Sequence, residues 1–251
     1  MNERQAVELF HLHFVRLLCA APDKDRFAIK GGCNLRFFFE SVRYSEDIDL
    51  DVTKTPVFVL KERVAKILEG SALALPLKSR GIVVREWSSP KQTETTQRWK
   101  ASLAIEGRTL PVHTKIEFSR RGTTEDAKVE SVAASVLADY QLMPLLAPHY
   151  PLAAAIRQKI DALVTRSSVQ ARDVFDLAVL FAKAGGKLDA LRPVRAQLPK
   201  AIDRAMDVSY ADFKSQVVSY LKPEHVDEYG RREAWDALQS RVLDALEKAA
   251  P

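Results

Sequence analysis

The stretch 30–52 constrains the fold most, because it joins a glycine pair to a run of alternating acids. Gly31 and Gly32 are followed by a short, partly apolar segment with helical spacing. Three acids then stand at alternate positions: Asp47, Asp49 and Asp51. Successive side chains of a strand point to opposite faces. The three carboxylates therefore project from one face of a predicted strand, while the apolar residues between them enter the core.

The chemistry of this pattern favours a bound cation. Two carboxylates on one strand face repel each other unless a cation lies between them, and hard divalent cations take such oxygen ligands together with substrate phosphates. Glycine lets a phosphate approach backbone N–H groups, and the helix that follows offers a positive N-terminal end. We therefore predict that Asp47 and Asp49 hold Mg²⁺ or Mn²⁺. The plainer alternative is a surface turn followed by an acidic strand edge.

The spacing of the two motifs resembles the nucleotidyltransferase superfamily that includes polymerase β. In that superfamily a Gly-Gly or Gly-Ser pair at a helix start precedes Asp-x-Asp on a strand. The resemblance implies a mixed sheet with flanking helices and a nucleoside triphosphate (NTP) as substrate. The alternation of Asp47 and Asp49 with apolar residues agrees with that reading.

The neighbours of these motifs are further candidates for contact with a nucleotide. Lys30 and Cys33 flank the glycine pair. Arg36 and Arg43 have the charge to reach a phosphate, but either is equally well a solvated surface charge. Ser45, just before the acids, either orients a nucleotide or caps the turn.

A third carboxylate is predicted on a later strand. The segment 112–119 alternates, with Glu117 on the face that also carries Lys115. Glu117 would complete a metal triad with the two aspartates or act as general base towards an attacking hydroxyl. The alternative is a cross-strand ion pair between Glu117 and Lys115 or Arg120.

Composition excludes several classes of protein. A chain of 251 residues suits one large domain or two small ones, and 47% apolar with 28% charged residues is ordinary for a globular protein. The net charge of +5 is compatible with a nucleic-acid partner. Two cysteines support neither a disulfide framework nor a zinc site. No signal peptide or membrane-spanning run is evident, so we expect a cytoplasmic protein.

The pattern changes along the chain from mixed to helical. Strands are predicted at 81–87 and 97–106, with 88–96 as a hairpin loop, and at 129–138. Three prolines follow within a short span, at 144, 148 and 151, and beyond them the spacing is helical. We therefore predict an α+β fold, with a sheet-containing domain at 1–145 and a helical bundle at 146–251.

A second group of charged residues lies in the helical half. On a predicted helix at 152–166, Lys159 stands at the margin of the apolar face. On the next helix, Asp173 and Asp176 are one turn apart and share a face. A lysine near two aspartates is either a plain ion pair or a phosphate ligand whose position that pair determines.

With this second group, the resemblance becomes more specific. Lys-x-x-Ala-Leu followed by Arg-Asp-x-x-Asp-Leu, downstream of Gly-Gly and Asp-x-Asp, is similar to AbiEii-type nucleotidyltransferase toxins of abortive-infection and toxin–antitoxin systems. The similarity covers roughly residues 26–182. It implies that Asp47 and Asp49 bind Mg²⁺, that Lys159 contacts nucleotide phosphates, and that an aspartate of the second motif is required for activity. That aspartate is Asp173 or Asp176, and Arg172 is the arginine of the motif.

The resemblance also implies an activity. Members of the family transfer a nucleoside monophosphate from an NTP, in some cases to the 3′ end of tRNA, and are neutralised by a partner antitoxin. This sequence departs from the pattern at Cys33, where Thr or Ser is usual, and at Arg157-Gln158, where an acid is usual. Two alternatives are a protein that binds nucleotide or a partner without turnover, and an enzyme that modifies a small molecule.

Overall fold

The computed structural model describes residues 1–21 and 23–250. The chain forms two compact units. The first contains Met1–Phe38 and Tyr44–Tyr150, and the second contains Phe39–Arg43 and the chain from Pro151 onward. Within the described ranges, no helix combines the length and the apolar character needed to cross a membrane.

The first unit is built on a mixed sheet of seven strands, counted over the described residues. The strands are β1 (Phe27–Lys30), β2 (Ile48–Val52), β3 (Ile82–Gln92), β4 (Thr96–Ile105), β5 (Val112–Ser119), β6 (Lys128–Ser131) and β7 (Leu146–His149). Their order in the sheet is β3-β4-β5-β2-β1-β7-β6. The pairs β2–β5 and β1–β7 are parallel, and the other neighbours are antiparallel.

Helices accompany the sheet: α1 (Glu3–Leu18), α2 (Gly31–Phe38), α3 (Val57–Glu69), α4 (Ser71–Lys78) and α5 (Ala134–Ala138). Helix α1 begins with a capping box, in which Asn2 and Gln5 each accept a hydrogen bond from the other's backbone N–H. Its apolar side packs against β4 and β5 and against α3 and α4. On β2, Ile48, Leu50 and Val52 are buried in the same core, as their alternation with the acids predicts.

Two local predictions in this unit are wrong. The predicted loop at 88–96 is mostly strand, because β3 continues to Gln92 and only a short turn precedes β4. Ser and Thr are compatible with a strand. The pairing of β3 with β4 shifts register after Val84 and after Ser88, which lets the longer strand stay paired. The predicted strand at 129–138 divides into β6 and helix α5, since the later half is rich in the helix formers Ala and Leu.

The second unit is helical. It contains α6 (Leu152–Thr165), α7 (Ala171–Ala184), α8 (Leu198–Met206), α9 (Tyr210–Gln216), α10 (Pro223–Tyr229) and α11 (Arg232–Ala249), with 3-10 turns at Asp189–Gln197 and Val218–Tyr220. Phe175, Phe213 and Trp235 form an aromatic group in its core, with ring centroids 6.2 Å and 4.5 Å apart in succession. A mixed sheet with helices, followed by a helical region, confirms the predicted α+β class.

The division between the units differs from the predicted one at two places. We placed the boundary after residue 145, whereas β7 (Leu146–His149) pairs with β1 and β6 and so belongs to the sheet. The short segment Phe39–Arg43 is separated in sequence from the helices but belongs to the helical unit. Arg43 forms an isolated β-bridge with Leu221, and the Val42 carbonyl accepts a hydrogen bond from the Lys222 N–H at 3.2 Å.

Candidate active site

The glycine pair and the acids meet at the start of α2. Gly31 has φ +64°, a left-handed conformation that favours glycine. A Cβ atom on Gly31 would lie 3.1 Å from Oδ2 of Asp49. The backbone at the N-terminus of α2 thus approaches the carboxylate closely, and a side chain at residue 31 would push the carboxylate away.

Asp47 lies just before β2 and is held by one residue of the neighbouring strand. The Lys115 backbone N–H donates to Asp47 Oδ1 at 2.9 Å, and Lys115 Nζ is 2.8 Å from Asp47 Oδ2. These contacts fix the orientation of the Asp47 carboxylate, which remains partly exposed. Lys115 is therefore a member of the site that the sequence analysis did not assign.

Asp49, the second residue of β2, differs from Asp47 in having no such support. Among residues 1–21 and 23–250, no group donates a hydrogen bond to its carboxylate or pairs with it. Burial, followed by the negative charge of Glu117, raises the pKa of Asp49; Asp47 adds to the effect, and the charges of Lys30 and Lys115 offset only part of it. A carboxylate crowded by other acids is stabilised by a cation.

Asp51 does not join the other two acids. It accepts hydrogen bonds from Lys30 Nζ and from the Tyr150 hydroxyl, both at 2.6 Å, and is buried. A Cβ on Gly122 would lie 3.0 Å from Asp51 Oδ2, so the polypeptide closes over this carboxylate. Lys30, a predicted nucleotide contact, is thus engaged by Asp51 in this structure.

Glu117 lies directly beside Asp49, because β2 and β5 are parallel and these two residues are paired in register. Its Oε2 atom is 2.6 Å from both Nε and a terminal nitrogen of Arg98 on β4. The cross-strand ion pair considered as the alternative therefore exists, with Arg98 rather than Lys115 or Arg120 as the partner. The sequence alone does not show which basic residue pairs with Glu117, because the register of β4 against β5 places Arg98 opposite it.

The donor set fits a divalent cation held by two carboxylates. In the described part of the chain, no group of three or more His, Cys, Asp or Glu residues is arranged to hold a metal. Mg²⁺ is commonly bound through one or two carboxylates together with substrate phosphates, so three protein ligands are not required. Asp47 and Asp49 supply the oxygen ligands, and the unneutralised charge of Asp49 favours a cation.

The helical unit carries the second charged group. Lys159 on α6 is buried, and its Nζ lies 3.0 Å from Asp173 Oδ1 and 2.6 Å from Asp176 Oδ2. Arg166 Nε lies 2.8 Å from Asp173 Oδ2, and a terminal nitrogen of Arg43 lies 3.2 Å from both oxygens of Asp176. The predicted convergence of Lys159 with both aspartates is therefore present within this unit.

Mutual attraction favours the charged forms of Lys159 and Asp176 despite their burial. Burial by itself would lower the pKa of Lys159, but Asp176 and Asp173 outweigh it and raise that pKa. Burial would raise the pKa of Asp176, and the charges of Arg43 and Lys159 lower it instead. Lys159 is thus a permanent cation, which is what a phosphate ligand requires.

Comparison with protein families identifies the chain. The family model "Nucleotidyl transferase AbiEii toxin, Type IV TA system" matches residues 15–250. The chain belongs to the AbiEii family. It is accordingly a nucleotidyltransferase toxin of a type IV toxin–antitoxin system, a family that implies an antitoxin partner.

Solved structures agree with the fold of this AbiEii-family chain. "JHP933 from Helicobacter pylori" has a TM-score of 0.60 and 18% identity, covering 99% of this chain and 95% of that one. A structure described as "putative nucleotidyltransferase from H. pylori" has a TM-score of 0.60 and 20% identity, with 100% of both chains covered. At these identities the likeness supports the fold alone. No curated protein matches the chain.

Several residues predicted to contact nucleotide have other partners in this AbiEii-family toxin. Cys33 is buried, and its Sγ donates to the Asp47 carbonyl at 3.4 Å. Ser45 donates to the same carbonyl at 2.8 Å and so caps the turn. Arg36 is buried against Glu8, with Nε 2.7 Å from Oε1. Cys33 and Ser45 thus hold the backbone carbonyl of Asp47, whereas Arg36 is engaged by Glu8.

Other residues predicted to contact nucleotide remain partly exposed. Gly31 and Gly32 present backbone at the start of α2 and are only partly buried. Arg172, at the start of α7, is partly buried, and its guanidinium has no ion-pair partner in the ranges that the structure describes. The buried position of Cys33 keeps its thiol away from a phosphate at the surface.

Proposed function

We propose that this toxin transfers a nucleoside monophosphate from an NTP to an acceptor hydroxyl of RNA, with the 3′ end of tRNA as the acceptor. The observation that carries the proposal is the Asp47–Asp49 pair beside Gly31, with Asp49 left unneutralised. The family supports nucleotidyl transfer, and the net charge of +5 suits an RNA partner. We further propose that a cognate antitoxin neutralises the toxin, and that it acts in the cytoplasm, where NTPs and tRNA are found.

Asp47 and Asp49 would hold Mg²⁺ or Mn²⁺, which supplies charge neutralisation on the triphosphate and activates the attacking hydroxyl. The N–H groups at Gly31 and Gly32 point from a helix start, where phosphate oxygens bind favourably. Lys159 and Arg172 supply positive charge to the phosphates.

The reaction is an in-line displacement. The acceptor oxygen forms a bond to the α-phosphorus, the bond from that phosphorus to the bridging oxygen breaks, and pyrophosphate leaves with the electron pair. The proton of the hydroxyl goes to a carboxylate. We assign this role to Glu117, because Arg98 occupies only Oε2 and the described residues provide no donor to Oε1.

The experiment that tests the function is incubation of the purified chain with each α-³²P-labelled NTP, Mg²⁺ and total RNA. The Asp49→Asn variant removes the unneutralised charge, and Asp25→Asn is a matched control at an exposed aspartate. We expect a labelled band of tRNA size from the wild type and the control and none from Asp49→Asn. Label on a protein or on a small molecule instead would identify that molecule, and not RNA, as the acceptor. No label with any NTP would favour nucleotide binding without turnover.

A further inference from the structure

Arg43 has a backbone position that the helical unit determines. The segment Phe39–Arg43 belongs to this unit, and Arg43 is bridged to Leu221. The hydrogen bond from Lys222 N–H to the Val42 carbonyl adds a second attachment. The Arg43 guanidinium therefore lies in the helical unit, although Arg43 is far in sequence from the helices of that unit.

The guanidinium contacts both oxygens of one aspartate. The same terminal nitrogen of Arg43 lies 3.2 Å from Oδ1 and 3.2 Å from Oδ2 of Asp176, and both side chains are buried. Asp176 Oδ2 also lies 2.6 Å from Lys159 Nζ. One carboxylate is thus shared by two cations, and charge-assisted contacts of this kind are strong where water is excluded.

Arg43 and Lys159 are linked through a shared carboxylate. Asp176 is fully buried and lies against both the Lys159 ammonium and the Arg43 guanidinium. Asp173 is shared in the same way between Lys159 and Arg166, whose side chain is 40% exposed. The position of Arg43 therefore bears on the position of the Lys159 ammonium through Asp176.

We propose that Arg43 is a positioning residue for Lys159. By engaging Asp176, it holds the carboxylate against which the Lys159 ammonium lies, and so sets the place of that ammonium. The inference rests on the proposed function, in which Lys159 binds the triphosphate. The raised pKa of Lys159 agrees with it, because the ammonium stays charged.

The test compares KM for the NTP, kcat and equilibrium binding of the NTP in wild type, Arg43→Gln and Arg43→Lys. We expect Arg43→Gln to raise KM and the dissociation constant by about tenfold, the loss of roughly one charged contact, with a smaller change in kcat. Arg43→Lys should recover part of the affinity. The matched control is Arg63→Gln, because Arg63 also contacts both oxygens of an aspartate, Asp23, at 2.8 and 2.9 Å.

A double-mutant cycle with Asp176→Asn separates positioning from stability. If Arg43 acts through Asp176, Arg43→Gln adds little to the KM of Asp176→Asn, because the carboxylate through which it acts is already neutral in that variant. Additive effects on KM, or a wild-type KM in folded Arg43→Gln, would overturn the inference.

The same measurements distinguish this inference from the proposed function. If the wild type binds NTP but transfers nothing, the proposed transfer fails, and a weaker dissociation constant in Arg43→Gln still supports positioning. If the wild type transfers nucleotide and Arg43→Gln binds NTP as tightly, only the inference fails. A wild type that binds no NTP contradicts both.

Discussion

A Cβ atom at Gly31 would lie 3.1 Å from Oδ2 of Asp49, so a side chain at residue 31 would press on this carboxylate in addition to straining the left-handed backbone. This contact connects the two halves of the first motif physically. The absence of a side chain at residue 31 leaves space for the Asp49 carboxylate as well as for a phosphate that approaches the backbone.

The Gly31→Ala variant should lose nucleotidyl transfer while remaining folded. Gly107→Ala is the matched control, because Gly107 has φ +78° and a Cβ there meets nothing within 4 Å. Both substitutions strain the backbone by about 1 kcal/mol, which thermal unfolding measures. Only Gly31→Ala should displace Asp49 and abolish labelling of RNA. Equal activity in the two variants would contradict the role of the close approach.

The Glu117→Gln variant tests whether Glu117 accepts the proton or binds the metal. As a proton acceptor it should lower kcat about 100-fold, leaving KM for NTP and the Mg²⁺ concentration for half-maximal rate unchanged. The measurement is initial rate against NTP and against Mg²⁺. A large increase in the Mg²⁺ requirement would instead make Glu117 a third metal ligand. Glu86→Gln, at an exposed glutamate of β3, is the control.

Lys159→Met should both abolish transfer and destabilise the helical unit. Lys159 is buried between Asp173 and Asp176, and removing one partner of a buried ion pair costs about 3 kcal/mol or more. The control is Lys183→Met, at an exposed lysine of α7 paired with Glu40, which should cost at most about 1 kcal/mol. Urea unfolding measures both. Equal stabilities would show that the buried group contributes nothing to the fold.

His11 should make the folded protein sensitive to mild acid. It is buried, its Nε2 lies 2.7 Å from Thr114 Oγ1, and burial lowers its pKa from 6.5 to about 3. The unfolded chain therefore binds a proton below pH 6.5 that the native protein does not, and the stability contributed by neutral His11 is lost as the pH falls from 6.5 towards 3. We expect the free energy of unfolding to fall by about 2 kcal/mol between pH 7 and pH 5 from this residue alone.

The measurement for His11 is chemical unfolding at a series of pH values. The His11→Gln variant should lose most of this dependence, and His113→Gln, at an exposed histidine, should keep it. An unchanged slope in His11→Gln would assign the acid sensitivity to other groups.

Local patterns predicted most of the elements that carry the site. Alternation of acids with Ile48 and Leu50 indicated the strand that carries Asp49, with Asp47 just before it, and helical spacing placed Lys159 at the margin of an apolar face. These local predictions succeed because the periodicities of strands and helices depend on residues that are neighbours in sequence. The family followed from the same motifs and is confirmed.

The partners of those residues came only from tertiary structure. Whether Asp51 faces a ligand or Lys30 and Tyr150, whether Glu117 meets Arg98 or Lys115, and where Arg43 lies are decided by strand register and by residues far apart in sequence. No local pattern carries that information, since a charge looks the same in sequence whether it is solvated or buried against a partner. The sequence by itself determined the element types and the chemical groups available, and the packing of distant segments decided which carboxylate was left unneutralised.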